Sequence, residues 1–156
     1  MSSFRRDAAA GRLEKGTTIR FSRTFTEVDV EVFGQVTRDA NPVHSDERWC
    51  DLKGFDGPIC HGLLVGSMLC EPGGQWGWLA TGMSFRFLKP VYIGDTVTCA
   101  MTIVELDDRR CARAEAELTN QRGEIVLTAE LRGYLPGADE RARLAELVGE
   151  PSPARG

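Results

Sequence analysis

The apolar positions of this chain alternate in one short run, take a helical spacing through its first half, and return to alternation in the second half. In TTIRFSRTF, Thr17 to Phe25, Ile19 and Phe21 alternate with Arg20 and Ser22, which predicts a half-buried strand. In TEVDVEVFGQVTRDA, Thr26 and Asp29 form a capping box. Val28, Val32, Phe33 and Val36 then fall on one helical stripe. Asn41-Pro42 is the expected stop of this helix. It puts Asp39 in the last turn and His44 just past the corner. SDERWCDLKGF reads as a short helical turn capped by Ser45, with Gly54 as its exit.

From Ile59 to Cys70 the chain is apolar or small nearly all round, up to Glu71-Pro72-Gly73-Gly74. A helix without a polar face has to be buried. Gly62, Gly66 and Ser67 let other backbone pack close to it. Four alternating runs follow: GMSFRFLKPVYI, TVTCAMTIVEL, CARAEAELT and EIVLTAELRGYL, separated by short turns. Long strands with polar outer faces and tight connections predict an antiparallel sheet covered on one face. The predicted class is α+β, a curved antiparallel sheet wrapped around one central apolar helix.

Composition narrows the function classes. The chain has 156 residues, 42% hydrophobic and 27% charged, with a formal net charge of -4. That suits one globular domain. No run approaches the ~18 apolar residues of a membrane span. No basic cluster invites nucleic acid. MSSFRRDAAAGRLEKG has no apolar core for a secretory signal, and Asp7 and Glu14 count against a transit peptide, so a cytoplasmic protein is expected. The expected organisation is a loose arm over residues 1–16, one domain over 17–136 and a charged tail over 137–156. Cys50, Cys60, Cys70, Cys99 and Cys111 are odd in number and lack CxxC spacing, which reads as reduced thiols, most of them in the core.

The stretch TRDANPVHSDERWC holds one of the two histidines, five residues after Asp39. Two readings are open for Asp39 and His44: an ordinary helix exit, or an acid/base pair held by the stiff Asn-Pro corner. His61 reads as an anchor for the start of the buried helix. Cys60 beside it is a poor nucleophile candidate, because neighbours on a helix point apart. Trp76 and Trp78 read as pocket wall or subunit contact. Two histidines make a poor metal site, and neither a metal nor another cofactor is expected.

DANPVH, followed by GPICHGLLVGS and then FRFLKPVYIGDTV, resembles the MaoC-like, (R)-specific enoyl-CoA hydratases of the hot-dog fold. The resemblance runs from about Phe25 to Tyr134. It implies dimerisation through adjoining sheets and hydration of a trans-2-enoyl thioester carried by CoA or an acyl carrier protein. Residue by residue, it implies that Asp39 and His44 are the catalytic pair and that Asn41 is the polar residue between them. It implies that the Gly62 backbone N–H holds the thioester oxygen and that Ser67 lies near the site. The compact link CEPGGQWGWLATGM departs from the pattern. Its Trp76 and Trp78 are read as substrate-binding bulk that shortens the acyl pocket.

The chemistry fits those residue types. Hydration needs a base for water, a proton for C2 and a donor for the charge that builds on the thioester oxygen. Imidazole, carboxylate and a helix N-terminal N–H supply these. A hot-dog thioesterase and a non-catalytic acyl-binding subunit are the alternatives. The Asp-x-Asn-Pro-x-His pattern and the retention of both Asp39 and His44 favour the hydratase.

Overall fold

The computed structural model describes residues 13–149. In chain order they form β1 (Thr18–Thr24), α1 (Glu27–Thr37), a 3-10 turn (Pro42–His44) and α2 (Glu47–Lys53). A helical run follows, made of α3 (Gly62–Gly66), a 3-10 turn (Ser67–Leu69) and α4 (Cys70–Trp76). Then come β2 (Leu79–Phe87), β3 (Thr96–Leu106), β4 (Cys111–Asn120), β5 (Ile125–Tyr134) and α5 (Ala138–Gly149). The five strands make one antiparallel sheet in the order β1-β3-β4-β5-β2, not closed into a barrel. This is the expected α+β hot-dog architecture. The helices α1 to α4 all lie in the connection between the two edge strands, so that connection crosses the inner face of the sheet, while α5 follows β5.

Alternation explains which face they cross. Val97, Cys99, Met101 and Ile103 of β3 are wholly buried, as are Ala114 and Leu118 of β4. Ile103 stands opposite Ala114 and Met101 opposite Ala116. Bulk on β3 against methyl groups on β4 keeps the inner face low in the middle, where a helix can settle. Leu64, Val65, Met68 and Leu69 of the central run are buried over it. On the outer face, Arg113 pairs with Glu105, Glu115 and Glu130. The β1/β3 seam carries hydroxyl pairs at Thr18–Thr102, Ser22–Thr98 and Thr24–Thr96.

Four local expectations are corrected. The capping box of Thr26 and Asp29 forms, but Val28, Val32 and Val36 face outward, while Val30 is buried and Phe33 packs against the core. The helix carries valines on both faces, so spacing alone does not choose between them. It also ends at Thr37, because Arg38 takes a left-handed conformation (φ 59°) before Asn41-Pro42 is reached. The cap of α2 is Asp46, which accepts from the Trp49 N–H, not Ser45.

The fourth correction concerns the central helix, which continues through Glu71-Pro72-Gly73-Gly74 and stops at left-handed Gly77. Pro72 has no N–H to offer the carbonyl one turn back. The chain tightens to 3-10 geometry over Ser67–Leu69 and resumes with Pro72 in the first turn of α4, where a missing N–H is tolerated.

Residues 1–12 of the expected arm, and residues 150–156 of the expected tail, lie outside the described residues. The described part of the arm is docked: Leu13 is buried, and the Gly16 N–H donates to the Ile103 carbonyl. The charged tail forms α5, whose Leu144 lies near Gly77. Among the described residues, no helix is long and apolar enough to cross a membrane. Cys50, Cys60 and Cys99 are buried, Cys111 is half-buried and Cys70 is exposed, all as free thiols.

Candidate active site

The chain leaves α1 through Arg38, and local hydrogen bonds shape the corner that follows. The Asp39 N–H donates to Thr37 Oγ1 at 3.3 Å, and Asp39 Oδ1 accepts from the Asn41 N–H at 3.1 Å. Asn41 Oδ1 in turn accepts from the Val43 N–H, which caps the 3-10 turn that Pro42 opens. The Asn41 side chain thus helps hold the corner.

His44 closes that turn. Its Nδ1 lies 2.8 Å from the Ile59 carbonyl oxygen. A carbonyl only accepts, so Nδ1 carries the proton and the lone pair of the neutral ring sits on Nε2. Nε2 faces Asp39 Oδ2 at 3.7 Å. The His44 side chain is 12% exposed and that of Asp39 is 48% exposed, so an enclosed imidazole meets an open carboxylate.

His61 is buried directly behind the pair. Its ring stacks on that of His44, with centroids 3.6 Å apart and planes 26° apart, and leans on Phe33 at 5.2 Å. Its Nε2 lies 3.3 Å from the backbone carbonyl of Asp39. Asp39, His44 and His61 offer ligand atoms within 4.8 Å of one another. Stacked rings, however, set their in-plane lone pairs side by side. A shared ion needs them to converge, so the trio is poorly arranged for a metal.

Gly62 opens α3, where a backbone N–H has no acceptor within the helix. The ring of Phe87 lies across it: a Cβ at position 62 would be 2.8 Å from Phe87 Cε1. Asp39, His44, His61 and Gly62 share one cavity of about 500 Å³, with apolar walls from Phe33, Phe55, Leu63, Val65 and Leu127. Cys60 also lines it. Burial, with some help from Asp95 and Asp29, pushes the Cys60 thiol up to about 12, so it stays protonated near neutral pH.

Of the residues singled out in the sequence, the structure thus gathers Asp39, His44 and Gly62 at one cavity, with Asn41 at its corner. Ser67 is not among the lining residues; its hydroxyl donates to the Leu64 carbonyl at 2.6 Å. Nor do Trp76 and Trp78 line the cavity. They are buried in the core at the other end of the central run, with ring centroids 6.5 Å apart. The Ile59 carbonyl and Phe87 were not singled out. A backbone carbonyl leaves no mark in the sequence. Phe87 does: Phe85 and Phe87 recur at a strand's period as Gly62 and Gly66 recur at a helix's.

Comparison with known proteins follows the same outline. The family model described as MaoC like domain matches residues 9–124. The (R)-specific enoyl-CoA hydratase of Aeromonas caviae is 32% identical over 133 residues, covering 82% of this chain and 99% of that protein. A mitochondrial 3-hydroxyacyl-[acyl-carrier-protein] dehydratase of Arabidopsis thaliana is 28% identical over 149 residues, covering 89% of this chain and 87% of that one. Among solved structures, the (R)-hydratase from A. caviae involved in PHA biosynthesis superposes with a TM-score of 0.76 at 32% identity, covering 81% of this chain and 100% of that chain.

Proposed function

The chain belongs to the MaoC-like domain family, and from that premise we propose that it adds water reversibly to a trans-2-enoyl-CoA, giving the (3R)-3-hydroxyacyl-CoA. Its named relatives are enoyl-CoA hydratases and 3-hydroxyacyl dehydratases, so the chemistry is that of a carbon–oxygen lyase. Asp39 and His44 act as the acid/base pair, and the Gly62 N–H is the donor to the thioester oxygen. The functional unit is a homodimer.

One observation carries this reading: the 3.7 Å between His44 Nε2 and Asp39 Oδ2, with His44 Nδ1–H already committed to the Ile59 carbonyl. That gap is too long for a direct hydrogen bond. It suits a water that donates one O–H to each atom. As the water oxygen bonds to C3, Nε2 takes one of its protons. The C2–C3 π electrons move toward the thioester carbonyl, where the helix N-terminal N–H of Gly62 meets the growing charge. The proton taken from water returns through the pair to C2. One water is consumed, one C–O and one C–H bond form, and the enzyme ends as it began. Asp39 orients the water and passes the proton.

The test is purified protein with crotonyl-CoA, following loss of the conjugated enoyl absorbance together with release of free thiol. Absorbance loss without thiol, and a (3R) product on chiral analysis, is the expected result. Thiol release would replace this reading with a thioesterase, and neither signal would point to a binding subunit.

A further inference from the structure

His61 is 3% exposed, and its Nδ1 is a buried nitrogen without a hydrogen-bond partner. A buried polar atom left unmet costs roughly 1–3 kcal/mol, so phenylalanine or leucine would suit a purely structural position better. Nor is the side chain used to cap α3, since it makes no capping bond. Besides leaning on Phe33, the ring makes one contact to each member of the acid/base pair. Its face lies 3.6 Å from the ring of His44. Its Nε2, 3.3 Å from the Asp39 carbonyl, must be the protonated nitrogen, because that oxygen can only accept.

Resting on the hydration reading above, we propose that His61 is a positioning residue. Its ring face sets the plane of His44 and its Nε2–H tethers the backbone of Asp39, so the gap between the pair is measured from a single buried side chain. The surroundings support this. Gly34 of α1 brings its backbone to the same ring, where a Cβ would lie 3.6 Å from His61 Cε1 and Nε2. The helix that delivers Asp39 is thus seated on the ring that backs His44. Asp39 reaches the site through an exposed loop, and His44 through a turn of one residue triplet. Neither segment alone fixes the other. The hydration reading routes no step through His61.

The two contacts separate by substitution. His61→Phe keeps a stacking ring and loses the tether. His61→Gln keeps an N–H donor at about the reach of Nε2 and loses the ring. His61→Ala loses both. Misplacement of catalytic groups by about 1 Å costs on the order of a hundredfold. His61→Phe and His61→Gln should therefore lower kcat roughly tenfold each and His61→Ala roughly a hundredfold, with KM within about threefold of the unsubstituted protein. A folded variant with unchanged kcat, or one in which only KM rises, overturns the proposal. If His61→Ala does not fold, the other two variants decide it.

A second readout is independent of turnover. The chain has two histidines, so in ¹⁵N-histidine NMR the His61→Phe spectrum assigns both. The expected spectrum of the unsubstituted protein has His61 protonated on Nε2 and His44 on Nδ1. A His61 protonated on Nδ1 breaks the tether and overturns the proposal, even if crotonyl-CoA is hydrated. An inactive protein that shows the expected tautomers overturns the hydration reading instead.

Discussion

Phe87 lies where a side chain on residue 62 would have to go, its Cε1 2.8 Å from the Cβ position of Gly62. Four residues on, Gly66 meets Phe85 in the same way, at 2.9 Å. Four helical residues rise about 6 Å and two strand residues about 6.6 Å. One ring of β2 therefore registers on each glycine of α3. The two rings are nearly parallel, with centroids 6.2 Å apart.

The two glycines should respond unequally to alanine. Phe87 is 54% exposed and free to swing away, whereas Phe85 packs against the core. Gly66→Ala should cost about 1–3 kcal/mol, the usual range for overpacking. Gly62→Ala should cost less than about 1 kcal/mol, yet still lower turnover as the displaced ring enters the cavity. Urea midpoints for the two variants check the order, and equal losses would count against the register.

Asp39→Asn and His44→Gln should each lower kcat by about a hundredfold or more with the fold intact. If the two side chains handle one water, as proposed, the double variant should be little worse than the worse single one. Near-normal turnover of crotonyl-CoA in either single variant would remove that residue from the mechanism.

The edges of the sheet differ. Along β1 the edge carries Arg20 and Arg23, which discourage further pairing. Along β2 it carries Leu79, Met83 and Phe87, all exposed, with only Phe85 half-buried. Light scattering at micromolar concentration should give twice the chain mass, and Met83→Lys should weaken that association. An active monomer would sink the homodimer.

Acid should destabilise the fold through one cluster. Glu124 accepts from Asn120, Lys89 and Arg122, which holds its carboxyl at about 2. Burial opposes ionisation of Asp95, but bonds from Gln121, the Tyr92 N–H and Arg122 outweigh it and hold its carboxyl below the usual range. The unfolded chain takes up these protons first, near its ordinary values of about 4. The stabilisation is therefore complete above that pH and lost as the pH falls toward about 2. Glu124→Gln should make the fall of the urea midpoint over this window shallower. An unchanged slope would show that other carboxylates govern it.

With Trp78 in the core and 7% exposed, Trp78→Ala should cost about 3–5 kcal/mol. It should leave the ratio of kcat/KM for crotonyl-CoA to an eight-carbon enoyl-CoA unchanged. A shift toward the longer chain would restore this residue to the acyl pocket.

The fold was legible because its strands alternate cleanly and because Ile59 to Cys70 has no polar side to show solvent. The spacing of Asp39 and His44 left a helix exit and an acid/base pair both open, and it was the resemblance carried by DANPVH and GPICHGLLVGS that implied a shared site with Gly62. What escaped the sequence was decided by competition between local preferences. Valines on both faces of α1 left its buried side open. Arg38 took a conformation that favours glycine, ending the helix before the Asn-Pro corner. Pro72 and the glycines after it read as a stop, yet a first-turn proline is compatible with a helix that continues. The tryptophans carried no spacing that tied them to the cavity, and bulk alone does not say which side of the core it fills.

The anchor of His44 is made of main chain. The Ile59 N–H donates to the Val43 carbonyl, the Ile59 carbonyl holds His44, and the Cys60 N–H reaches the Val91 carbonyl. Amides are the same whatever side chain they carry. Residues 43, 59 and 91 can therefore exchange one apolar side chain for another without releasing the imidazole. Such an arrangement lets the walls of the cavity drift toward other shapes while the imidazole stays where it is, so the fit of the cavity and the pose of the ring can evolve on separate sets of atoms.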